Sequence, residues 1–124
     1  MKFDPKYIEL CDCKEIQGLK KKYYEGDWGI TEDNVLGVNI FDGIDRPNYI
    51  WLPLEHQIDH KITYLCEKDH EYDYRLYFDS ISETWYLEIY ESLANKVLFS
   101  EDAYDENILI AKIKLLKKLL KESE

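Results

Sequence analysis

The sequence predicts an α+β fold, an antiparallel sheet of about 4–6 short strands with three helices. Three observations predict it. Apolar residues recur at helical spacing at both ends and in the middle of the chain, two-residue alternation runs between Glu71 and Ser100, and the remaining short apolar pieces are separated by turn pairs.

Asp4 and Pro5 are an N-cap and first-turn pair, and Tyr7, Ile8, Leu10 and Cys11 continue as a short amphipathic helix over residues 4 to 12. From Tyr23 to Leu52 the period shortens. Trp28 and Ile30, then Val38, Ile40 and Phe41, then Tyr49, Ile50 and Trp51 read as short strands between the turn signals Gly26-Asp27, Asp33-Asn34 and Asp42-Gly43. Pro53 opens a helix over 53 to 66 with Leu54, Ile58, Ile62 and Leu65 on one stripe. Tyr72, Tyr74, Leu76 and Phe78 then alternate with Asp73, Arg75, Tyr77 and Asp79, and Trp85, Leu87 and Ile89 with Thr84, Tyr86, Glu88 and Tyr90. The Asp79–Glu83 stretch closes a hairpin, and Val97, Leu98 and Phe99 supply a third strand after Ala94-Asn95. A last helix from Asp102 to Lys121 carries Leu109, Ile113, Leu116 and Leu120 on its apolar stripe, with acids first and lysines last.

The 124 residues suit a single domain over 1–124, and 45% hydrophobic residues suffice to offset the entropy of ordering the chain. A net charge of −10 disfavours direct nucleic-acid binding, which needs clustered Lys and Arg. The odd set Cys11, Cys13 and Cys66 disfavours a secreted disulfide framework, with Cys11 expected as a small buried hydrophobe. With no signal-like segment and no apolar run of roughly 18–20 residues, a cytoplasmic protein without a membrane anchor is expected.

His56 and His60 stand four apart on the middle helix, with Asp59 completing His-x-x-Asp-His, a spacing that can hold zinc for a metal-dependent hydrolase. The pair lacks a third ligand in sequence and lies opposite Ile58 and Ile62, so a solvated polar face is the expectation, without metal or cofactor. No phosphate-cradling glycine loop or nucleophile elbow is present, and no catalytic residues are expected. The lysines of the last helix, Lys112, Lys114, Lys117, Lys118 and Lys121, are expected on its outer face.

The charge is segregated. Residues 67 to 106 hold 12 Asp or Glu against Lys68, Arg75 and Lys96, a net of −9. The hairpin's outward positions mix these acids with tyrosines. Glu71, Asp73, Tyr77, Tyr86, Glu88, Tyr90, Glu101, Asp102 and Asp105 are therefore the expected partner-binding residues, aromatic anchors within a negative potential that suit a basic protein. The plainer alternative is a solubilised sheet face.

Cys11-Asp12-Cys13-Lys14-Glu15-Ile16-Gln17, Gly26-Asp27-Trp28 and Trp51-Leu52-Pro53-Leu54-Glu55-His56-Gln57-Ile58 together resemble the phage ABA sandwich domain family, small proteins of Gram-positive phages and prophages. The later strands and final helix follow in the same order with weaker likeness. Family members often carry Arg-Gln-Asp-Gln after Trp-Leu-Pro, where this chain has Leu54-Glu55-His56-Gln57. The resemblance implies an α/β/α sandwich and a phage accessory gene, and no activity. The expected function is a non-enzymatic, anti-defence (anti-CRISPR-like) inhibitor of a basic host protein in the host bacterial cytoplasm. The alternative is a binder that sequesters a nucleotide signal in an aromatic pocket near Trp28, Trp51 and Trp85.

Overall fold

The computed structural model describes residues 3–68 and 71–122, so Asp69 of the acidic segment lies outside it. The protein is α+β, with six short antiparallel strands in two three-stranded sheets and three helices of seven residues or more. The chain divides into two compact units, Met1–Leu54 and Glu55–Glu124.

In the first unit α1 (Pro5–Cys11) begins as its sequence dictates, with Asp4 Oδ1 accepting from the Lys6 amide at 2.8 Å and Pro5 in the first turn. It buries Tyr7 and Cys11. A single helical turn, α2 (Lys14–Gln17), follows and buries Ile16. Strands β1 (Trp28–Thr31), β2 (Leu36–Val38) and β3 (Tyr49–Leu52) form a sheet in the order β2-β1-β3. Gly26, Asn34 and Gly43 take left-handed conformations at the three expected turns.

Strand β3 has a neighbour on one side only, and Gln17 completes its other edge. The side chain accepts from the Trp51 amide through Oε1 at 2.8 Å and donates through Nε2 to the Trp51 carbonyl at 3.0 Å and the Cys11 carbonyl at 2.9 Å. A carboxamide is a peptide group in miniature, so one side chain pairs with a strand as a neighbouring strand does. The Tyr7 hydroxyl donates to the Pro53 carbonyl. The Cys-rich start and the Trp-Leu-Pro segment, far apart in sequence, thus meet in one hydrogen-bonded cluster.

The second unit opens with α3 (Glu55–Lys68), which buries Ile58, Ile62 and Cys66. Strands β4 (Tyr72–Asp79), β5 (Thr84–Glu91) and β6 (Lys96–Ala103) form its sheet, and α4 (Ile108–Glu122) ends it after a 3₁₀ turn at Asp105–Asn107. Residues 102–103, expected to open the last helix, are the end of β6 instead, because Tyr86↔Asp102 and Trp85↔Ala103 pairing extends the ladder. The expectation of outward lysines on α4 fails at Lys112, which is 3% exposed. Its ammonium meets Asp59 at 2.8 Å and Glu55 at 3.1 Å on α3, and the Tyr74 hydroxyl donates to the other Asp59 oxygen at 3.0 Å.

Both helices lie on the side of this sheet that carries Tyr74, Leu87, Ile89, Glu101 and Ala103. Leu87 and Ile89 are fully buried there, and Glu101 pairs with Lys118 of α4 at 2.9 Å. The α/β/α layering that the resemblance implies would cover both sides. In this unit the helical cover is one-sided.

Cys11 is buried, as expected, and so is Cys66. Burial first, then the Asp73 and Glu67 carboxylates, push the Cys66 thiol up to about 11. Titration with a thiol reagent at pH 8 should therefore modify the part-exposed Cys13 promptly, and the two buried thiols only in denaturant. Rapid modification of more than one thiol in the native protein would contradict this burial.

Candidate protein-binding face

The register of the second sheet decides which side chains share its open side. Tyr77 stands opposite Tyr86 and that residue opposite Asp102; Arg75 stands opposite Glu88, and Glu88 opposite Ser100; Asp73 stands opposite Tyr90, and Tyr90 opposite Val97. These nine residues line the side away from Leu87 and Ile89, because pleating sends successive side chains to opposite faces. Within this face Tyr77, Tyr86, Glu88, Ser100 and Asp102 line a shallow depression, which Glu101 borders although its carboxylate is paired with Lys118.

The tyrosines are held by one another and by charge. The Tyr77 and Tyr86 rings stack with centroids 5.3 Å apart, a direct cross-strand aromatic pair. The Arg75 guanidinium lies 3.9 Å from the Tyr90 ring centroid and 3.9 Å from the Asp73 carboxylate. The Tyr90 hydroxyl donates to Asn95 Oδ1. Partial desolvation, then the Glu88 carboxylate it donates to, hold the Tyr77 hydroxyl above its ordinary value. Tyr77 nevertheless remains 47% exposed. Three carboxylates, Asp73, Glu88 and Asp102, face one guanidinium, so the open face is negative.

Six of the nine residues singled out in the sequence come together here: Asp73, Tyr77, Tyr86, Glu88, Tyr90 and Asp102. Glu71 is exposed one residue before β4. Glu101 does not join them, since it shares the side of Leu87 and is paired with Lys118. Asp105 does not either, because in the 3₁₀ turn it accepts from Trp85 Nε1. Strand parity alone excludes Glu101, one residue before Asp102. Arg75 and Ser100 belong to the face and were legible from the same parity, whereas Val97 reaches it only through the register shift between Ile89 and Tyr90, which alternation does not reveal.

The other candidates do not assemble. His56 and His60 are exposed on α3, while Asp59 between them is engaged by Lys112 and Tyr74. Among the described residues no group of three His, Cys, Asp or Glu side chains is placed to hold a metal ion. Trp28 is paired with Leu52 and Gly29 with Trp51, which puts the two tryptophans on opposite sides of the first sheet. Trp85 belongs to the second unit, packed on Phe78 at 5.0 Å. No helix among the described residues is long and apolar enough to cross a membrane. No protein-family model, curated protein or solved structure matches the chain.

Proposed function

We propose that this chain is a non-enzymatic binding protein whose open β4-β5-β6 face docks on a basic protein. The observation that carries the reading is the face itself: a stacked tyrosine pair and a third tyrosine among three carboxylates, left without helical cover. Rigid aromatic rings supply contact area at little entropic cost, and a like-signed rim steers and selects a partner of opposite charge. The phage setting that the resemblance implies supplies the class of partner, a basic nucleic-acid-handling host protein of a defence system, with the chain acting as its inhibitor.

The test is affinity capture from a bacterial lysate, followed by binding kinetics of each captured protein with two variants. Reversing Asp73, Glu88 and Asp102 to Lys should lower the association rate at least about tenfold and flatten its salt dependence. Tyr77→Ala with Tyr86→Ala should instead raise the dissociation rate, as loss of buried anchors does. Unchanged kinetics in both variants would remove this face from the account. Mass spectrometry of the native protein separates the nucleotide-sequestering alternative, which requires a retained nucleotide.

A further inference from the structure

A second recognition site, of opposite character, lies in the first unit. The ring of Tyr23 lies across Gly29 of β1: a Cβ at Gly29 would stand 3.2 Å from the ring and 3.3 Å from its hydroxyl, so only glycine admits this packing without a shift. Gly29 is paired with Gly37 of β2, where a Cβ would meet nothing within 4 Å. Two facing glycines thus leave a floor without side chains, and above it is a crevice of about 50 Å³ walled by Tyr23, Asp27, Asn39, Arg46 and Tyr49. It adjoins a wider basin that shares Tyr23, Arg46 and Tyr49 and adds Lys20, Lys21, Asp45 and Pro47.

Two features of this crevice point to a ligand. Tyr23 is 5% exposed, yet its buried hydroxyl has no hydrogen-bond partner. Burial first, then the nearby Asp27 and Tyr49, raise that hydroxyl above its ordinary value against the opposing pull of Arg46, so it stays protonated and able to donate. Leaving such a group unpaired costs stability, and unpaired groups of this kind are found where binding uses them. The second feature is Arg46. In a chain with 26 acids its half-buried guanidinium meets no carboxylate among the described residues. Nε and Nη2 are aligned on Asn39 Oδ1 at 3.3 and 3.0 Å, and the group sits 5.7 Å from the Tyr49 ring centroid. Asn39 is itself fixed, donating to the Phe41 carbonyl, so the guanidinium is held in place with donor capacity to spare.

We propose that this crevice binds the carboxylate of a small organic acid, with Arg46 and the Tyr23 hydroxyl as its donors and the acid's body in the basin over Tyr49 and Pro47. A singly charged head is favoured over phosphate. Asp27 lies in the same wall, and although Lys20 neutralises it at 2.6 Å, a dianion would still face that carboxylate in a small space. With Lys20 committed to Asp27, Lys21 and Arg46 outweigh Asp45 in the basin wall and leave it one net positive charge, which draws an anion to an otherwise acidic protein.

Amide-resolved NMR titration of the whole chain tests the site, with benzoate, inorganic phosphate, the peptide Gly-Gly-Phe and its C-terminal amide as probes. Benzoate or the free peptide should produce saturable shifts confined to residues around Tyr23, Asn39, Arg46 and Tyr49; whichever binds tighter assigns the carboxylate to a free acid or to a chain terminus. Phosphate and the amide should bind at least about tenfold more weakly. Arg46→Gln should abolish the response, and Gly37→Val, whose side chain enters open space, should block it. Tyr23→Phe provides the decisive pairing, because removing an orphaned hydroxyl should raise the melting temperature while weakening the carboxylate about tenfold. A response that survives Arg46→Gln, phosphate binding as tight as benzoate, or no saturation by either carboxylate overturns the proposal. None of these outcomes bears on the acidic sheet face.

Discussion

Gln17→Ala is expected to destabilise the first unit by about 2–4 kcal/mol, since it removes three hydrogen bonds at once and leaves both main-chain groups of Trp51 without partners. Buried peptide groups are costly to leave unpaired, and the site is only part-buried, so water offsets some of the loss. The measurement is urea unfolding followed by Trp51 amide exchange, which reports on β3 itself. Gln17→Glu gives a sharper signature. A carboxylate still accepts from the Trp51 amide but faces the Cys11 and Trp51 carbonyls with no proton to donate. Its folded-state pKa is therefore raised, so the variant's stability is fully present at low pH and is lost as pH rises through the folded value. Relative to the parent protein, Gln17→Glu should be closer to normal near pH 4 than at pH 8. A loss under about 1 kcal/mol in Gln17→Ala would show that water replaces the side chain without penalty.

The second large effect is expected at Lys112. Lys112→Ala should cost the second unit about 2–3 kcal/mol, below the value for breaking a fully buried pair because Glu55 and Asp59 keep contact with water. Lys112→Met retains the volume against the neighbouring apolar side chains and should cost less. Adding Asp59→Asn to Lys112→Met should recover most of the remainder: the Tyr74 hydroxyl still has an oxygen to donate to, and the one carboxylate left without Lys112 is the half-exposed Glu55, which water solvates. Amide exchange at Leu87 and Ile89 during denaturation reads this unit, free of the Trp28 and Trp51 signals of the other. If the double variant were no more stable than Lys112→Met alone, the lost stability would come from packing and not from the stranded charge.

Only one of these two sites was legible in advance. Lys112 lies three and four residues before Leu115 and Leu116 on the helix, inside the apolar stripe, so its position already spoke against an outer-face lysine. Gln17 carried no such signal. Its role depends on β3 having a single neighbour, and strand order is set by long-range pairing that leaves no local trace.

The sequence by itself determined the local geometry. The Asp4-Pro5 cap, the stripes of α3 and α4, the turns at Gly26, Asn34 and Gly43 and the alternation along β4 and β5 follow from contacts within a few residues, where one period or one cap settles the conformation. Parity likewise determined that Tyr77, Tyr86 and Glu88 share a face. Tertiary structure alone decided that this face is open, because α3 and α4 both dock on the Leu87 side, where apolar area is buried. It also decided where β6 stops. Acids at the start of a helix and the same acids in a strand are both locally acceptable, and the ladder partners Tyr86 and Trp85 assign Asp102 and Ala103 to the strand. In the first unit the apolar run at Val38, Ile40 and Phe41 breaks after Val38. Asn39 turns inward to bond Phe41 and Arg46, an arrangement that exists only once the chain around Arg46 has folded back onto β2.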